Sequence, residues 1–183
     1  MKIYALLIGI NEYLNEADGM RRLSGCLNDM MNFQSYLIGG PFKVPEAQIL
    51  TIFNEKATKA AIVKAFKSHF ANATKDDVCI FYFSGHGVRQ YANDGFKIGS
   101  INGALECLAC YDTDFDGHNL IADKEQRWLI HQLYQNSGGC HILTLFDCCH
   151  SGDNTRAVAK NTDSDPKNVV LERTIKDRGA SLL

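Results

Sequence analysis

Long apolar runs, prolines and an excess of either charge are all scarce in this sequence. No apolar stretch approaches the roughly 18 residues that a membrane-crossing helix needs, so no membrane role is expected. Three prolines in 183 residues exclude a proline-rich, extended chain. Lys plus Arg total 19 and Asp plus Glu total 21, a net charge of −2. That balance argues against a general electrostatic grip on nucleic acid or an anionic membrane surface. The start, Met1-Lys2-Ile3-Tyr4-Ala5-Leu6-Leu7-Ile8-Gly9, is apolar but lacks the small-residue cleavage site of a secretory signal. It reads as a buried first strand.

What is present is ordinary for a globular domain: 45% apolar and 22% charged residues, in a chain long enough to bury about 70% of its unfolded surface. Seven cysteines (Cys26, Cys79, Cys107, Cys110, Cys140, Cys148, Cys149) form an odd set without an export signal. Free thiols in a reducing cytoplasm are therefore expected. Cys107-x-x-Cys110 lacks the second pair that a four-ligand zinc site needs, and most of these thiols read as small core residues.

Periodicity alternates between strand and helix. After the first strand, at roughly 2–10, Cys26, Met30, Phe33 and Leu37 recur at helical spacing behind Ser24, a candidate N-cap. Gly39-Gly40-Pro41 ends that helix. Gln48 to Phe53 reads as a strand, and Thr58 as the cap of a helix carrying Ile62, Val63, Phe66 and Phe70. Val78 to Phe83 and Ile142 to Phe146 are continuous apolar runs, as in parallel strands covered on both faces. Residues 88–122 read as loop-rich with one strand near 105–111, before a helix carrying Trp128, Leu129 and Leu133. The pattern predicts an α/β sandwich with a mostly parallel sheet, whose ligands gather at the carboxyl ends of the strands.

Two strand ends carry chemistry. Ser84-Gly85-His86-Gly87 follows the first apolar run, and Asp147-Cys148-Cys149-His150-Ser151-Gly152 follows the second. A histidine between two glycines allows close backbone approach by a ligand. His86 and Cys149 are 63 positions apart, yet matching sheet ends would bring them into one crevice. A thiol is a nucleophile for acyl transfer, and imidazole can activate it and protonate the leaving amine.

These two blocks resemble the catalytic blocks of metacaspases and related bacterial caspase-like peptidases. Ala5-Leu6-Leu7-Ile8-Gly9-Ile10-Asn11 and Leu23-Ser24-Gly25-Cys26-Leu27-Asn28-Asp29 resemble that family's first strand and following helix. The resemblance covers about residues 3–152. It implies a caspase-like three-layer sandwich and a cysteine endopeptidase acting through a thioester. Cys149 is then the nucleophile, His86 the general acid–base, and the Gly87 and Cys149 N–H groups the oxyanion hole. Cys148 is packing. Asp29, Ser84 and Asp147 are implied as the pocket for a basic P1 side chain of a protein or peptide substrate. Arg156 stands where many metacaspases carry another pocket Asp, which weakens that preference and leaves acidic or neutral P1 as alternatives. The rival reading from another class is a catalytically silent interaction module.

No cofactor is needed for this chemistry, but calcium is a candidate. Asp112, Asp114, Asp116 and Gly117, with Asp123 at the twelfth position, have EF-hand spacing. Asp instead of Glu at that twelfth position and Asn119 in place of an apolar residue weigh against a true EF-hand. The resemblance implies instead a calcium loop ahead of the third helix. The alternative is a solvated loop with Asp123 capping that helix. Finally, residues 1–152 read as the catalytic large subunit and 153–183 as an inter-subunit linker or processed tail. Val169-Val170-Leu171 is too short to build the missing strands of a caspase-like small subunit. A small-subunit partner from the same precursor is expected. Self-processing is expected at basic residues such as Arg156, Lys160, Lys167, Arg173, Lys176 or Arg178.

Overall fold

A computed structural model of the chain describes residues 1–16, 20–91, 104–114, 116–148 and 170–172. In order, these form β1 (Ile3–Gly9), α1 (Cys26–Gly39), β2 (Ile49–Phe53), α2 (Lys59–His69), β3 (Val78–Ser84) and β4 (Gly87–Tyr91). There follow β5 (Ala104–Ala109), β6 (Leu120–Ala122), α3 (Asp123–Ser137), β7 (His141–Asp147) and β8 (Val170–Glu172).

The main sheet runs β2-β1-β3-β7 with every pair parallel. Alternation along the strands sorts the core into two layers. Ala5, Leu7, Ile80 and Tyr82 pack with Met30 and Leu37 of α1 on one face. Leu6, Ile8, Phe81 and Phe83 pack on the other with Ile62 and Phe66 of α2 and Leu129 and Leu133 of α3. Helices on both faces of a parallel sheet make the three-layer sandwich expected from the sequence. Among the described residues no helix is long and apolar enough to cross a membrane.

Local chemistry sets the helix ends. Thr58 Oγ1 accepts the Ala61 N–H at 3.2 Å, capping α2 as expected. The start of α1 differs: Gly25, not Ser24, holds the capping position, without a side-chain bond. Its carbonyl accepts the Asp29 N–H at 3.0 Å instead. At the amino end of the sheet, Asp77 accepts the N–H groups of Lys2 and Thr74 and the Thr74 hydroxyl, at 2.7, 3.0 and 2.8 Å. Those donors hold its carboxyl below the usual range. No disulfide joins the described cysteines, of which Cys26, Cys79, Cys107, Cys110 and Cys140 are buried.

Two features depart from the sequence reading. Within the described part of 88–122, where one strand near 105–111 is expected, β4, β5 and β6 form a second sheet of order β6-β5-β4-β8. Val170–Glu172, expected to be tail, pairs in parallel with β4 as its fourth strand. A three-residue strand shows no periodicity, and its partner lies some eighty positions away, so sequence pattern could not reveal the pairing. The second departure is β7, apolar like a central strand but exposed at Leu143 (45%) and Phe146 (41%). Among the described residues it is the edge of the main sheet. The proposed boundary at 152/153 lies outside the described residues.

Candidate active site

The register of the main sheet brings three strand ends level. Gly9 pairs with Ser84, and Ser84 pairs with Asp147. The chain stays stitched just beyond: Ile10 N–H donates to the Ser84 carbonyl at 2.9 Å and Gly85 N–H to the Asp147 carbonyl at 3.3 Å. His86 follows two residues after Ser84. Cys149, two residues after Asp147, lies outside the described residues, as does His150.

His86 is 7% exposed and held on several sides. Its backbone N–H donates to Tyr13 Oη at 2.7 Å, and its carbonyl accepts the Ala109 N–H at 3.0 Å. Its ring Nε2 donates to the Arg21 carbonyl at 2.6 Å, which fixes the tautomer with the proton on Nε2. The Tyr13 ring leans on the imidazole with centroids 5.0 Å apart. Gly85 is required here, because a Cβ would come within 2.8 Å of Tyr13 Oη and 3.0 Å of the Phe83 ring. Gly87 opens β4 directly after the histidine.

The carboxylates come from two elements. A Cβ at Gly9 would meet the Cys26 carbonyl at 3.0 Å and Met30 Cβ at 3.1 Å, so bare glycine lets the first turn of α1 lean over the end of β1. Asp29 sits in that turn. Ser84 Oγ donates to Asp147 Oδ2 at 3.5 Å. Burial pushes the Cys26 thiol and the Tyr82 phenol up, and the charges of both Asp147 and Asp29 add to each shift. Asp29, Ser84 and Asp147 are thus brought together, and no lysine or arginine among the described residues forms an ion pair with either carboxylate. Beside the end of β7, Glu106, Asp123, Phe146 and half-buried Cys148 line a cleft of about 320 Å³.

The acidic loop is arranged differently. Asp112 Oδ1 accepts the Lys59 N–H at 2.9 Å, at the amino end of α2. Asp114 accepts the His118 N–H at 2.7 Å and pairs with His118 Nδ1 at 2.6 Å. Thr113 Oγ1 latches the loop by accepting the Cys110 N–H and donating to the Asn119 carbonyl. Asp116 is exposed on that turn. Asp123 is the first residue of α3, accepts the Lys124 N–H at 2.8 Å and is pushed up by burial. Ala122, not Asp123, holds the cap position. Calcium needs six to eight converging oxygens. Among the described residues no group of three or more His, Cys, Asp or Glu could hold a metal ion. As placed, these side chains do not fit a calcium cage.

Sequence reasoning singled out His86, Asp29, Ser84 and Asp147 but missed Tyr13 and Arg21, which hold the histidine. The one available signal was Tyr13 falling two residues after Asn11, just past the first strand.

A parallel α/β sandwich with a clamped histidine at one strand end and an acidic cluster beside it defines a caspase-like domain. Residues 4–157 match the family model described as the metacaspase, peptidase C14 domain; the chain belongs to that family. It is 32% identical over 155 residues to metacaspase-1 of Yarrowia lipolytica, covering 81% of this chain and 31% of that protein. It is 33% identical to metacaspase-1 of Schizosaccharomyces pombe, covering 81% of this chain and 33% of the relative. Metacaspase III c of Phaeodactylum tricornutum is 35% identical, with 81% and 42% covered. The chain therefore spans about a third of the length of the first two relatives. A crystal structure of a Geobacter sulfurreducens protein shares the fold, with a TM-score of 0.61 at 21% identity, covering 84% of this chain and 53% of that one.

Proposed function

We propose that this chain is the large catalytic unit of a cysteine endopeptidase that cleaves after Arg or Lys through a Cys149–His86 dyad. The carrying observation is the pairing of Ser84 with Asp147. Each residue of the dyad stands two positions past a member of that pair, and two residues of chain reach at most about 7 Å. The dyad separation of 63 in sequence equals the register offset of the strands.

His86 Nδ1 takes the Cys149 proton, and the thiolate attacks the scissile carbonyl carbon. The resulting oxyanion is met by the N–H groups of Gly87 and Cys149. As the tetrahedral intermediate collapses, the C–N bond breaks and imidazolium gives its proton to the leaving amine. Water then attacks the thioester with His86 as base, releasing the carboxylic acid and the thiol. The Arg21 carbonyl on Nε2 supports this by fixing the tautomer and steadying the imidazolium. Asp29 and Asp147, without a basic partner among the described residues, would pair with the substrate's guanidinium or ammonium.

Peptidyl-arginyl and peptidyl-lysyl amides carrying a fluorogenic leaving group test this reading. Turnover that iodoacetamide abolishes is expected; turnover indifferent to thiol alkylation overturns it.

The exposed apolar residues of β7 support a second element of the proposal. Leu143 and Phe146 lie on a strand that is the edge of the main sheet among the described residues, an arrangement that proteins normally cover. A small unit from the same precursor would add its strands there, released by cleavage at basic residues between 153 and 183. The odd thiol count suits a reducing compartment such as the cytoplasm. Mass spectrometry of active enzyme is expected to show two chains, one ending at a basic residue such as Arg156, Lys160 or Arg173. A lone 20.4 kDa species with full activity refutes the partner.

A further inference from the structure

We propose that Tyr13 is a positioning residue for the general acid–base, its hydroxyl setting the backbone at His86 and its ring setting the imidazole plane. The inference rests on the dyad reading above and adds a residue to it. Tyr13 is 3% exposed, in the segment between β1 and α1 that also supplies the Arg21 carbonyl. One side chain therefore makes two contacts with the same histidine: a hydrogen bond at 2.7 Å from the backbone N–H, and a tilted ring packing at 5.0 Å and 42°. The glycine before His86 is cut to fit that hydroxyl, since any Cβ at Gly85 would sit 2.8 Å from it.

The phenol suits this task chemically. The His86 N–H is buried and bonds to a side chain, so without an acceptor it would stay unsatisfied or pull the turn toward water. Burial also pushes the Tyr13 phenol well above its ordinary range, so it remains a neutral hydroxyl wherever a cysteine peptidase works. Deleting the oxygen leaves the Arg21 and Ala109 contacts in place. The histidine is then still present but less well aimed, and small misplacements of a reacting group cost rate steeply.

The test uses the active enzyme, with Tyr13→Phe, Tyr13→Leu and His86→Ala assayed on a peptidyl-arginyl amide. Tyr13→Phe is expected to lower kcat roughly tenfold with KM unchanged, because substrate contacts are untouched. Tyr13→Leu, which loses the ring as well, is expected to fall further. An unchanged kcat in Tyr13→Phe, or a loss appearing in KM alone, overturns the assignment while leaving the dyad standing if His86→Ala is inactive. Full activity in His86→Ala removes the dyad itself, a result distinct from failure of Tyr13. A measurement on the unmutated enzyme needs no variant to fold: the His86 amide is expected among the slowly exchanging amides. Exchange at the rate of an exposed loop overturns the proposal.

Discussion

Replacing Cys149 with alanine is expected to abolish hydrolysis of peptidyl-arginyl amides, and His86→Ala to lower kcat by about 10²–10⁴-fold, the usual worth of a positioned acid–base. The alanine at 149 leaves no atom to form the thioester. Without the imidazole, the thiol must ionise unaided and the amine must leave unprotonated. Cys148→Ala is expected to retain activity. Cys148 is half-buried against the core layer that carries α2 and α3, where a small apolar residue serves equally well. Steady-state kinetics on the three variants, with thermal melts to verify folding, decide the matter; full turnover in Cys149→Ala ends the dyad reading.

The second large effect concerns substrate choice. Asp29→Ala and Asp147→Ala are expected to reduce kcat/KM for Arg and Lys at P1 by on the order of 10²–10³-fold, while substrates with neutral P1 change little. A guanidinium drawn from water and left without its carboxylate costs about 3–5 kcal/mol. The two charges act on the same neighbours, raising both Cys26 and Tyr82, so their losses should not simply add. A P1 profile led by Asp or by neutral residues would overturn the pocket, and Arg156 would then be the first residue to replace.

How much of this could be read from the chain differs residue by residue. The strands β1 and β3 were legible because burial on both faces demands continuous apolar runs, and β7 carries the same kind of run although it is partly exposed. Thr58 was legible because a cap acts within three residues of itself. His86 stood out only in company: alone its glycine-flanked segment reads as a tight turn, but a second reactive block follows the matching strand end. The clamp on His86 was not legible: Tyr13 and Arg21 act across 73 and 65 positions, and no local pattern records such a contact. Nor could an apolar strand announce that it lies at an edge, since the pattern reports that something covers it but not what. The Asp112–Asp116 spacing shows the opposite hazard. Alternating carboxylates resemble a cation loop, yet here one carboxylate serves the start of α2 and the next grips His118. Calcium-type spacing and local capping draw on the same residues, and only the fold distinguishes them.

The alignment of β3 with β7 also fixes an order of assembly. Tyr13, Arg21, His86 and Ala109 all precede β7 in the chain, so a growing polypeptide holds these described parts of the histidine clamp before the residues after β7 are made. Closing the 63-residue span between the paired strands is a non-local step that must overcome loop entropy before sheet contacts compensate. A nascent or prematurely ended chain therefore carries an imidazole without a thiol beside it. On the proposed dyad, completion of β7 is the step that delivers Cys149, so a chain ending before it would have no nucleophile to activate.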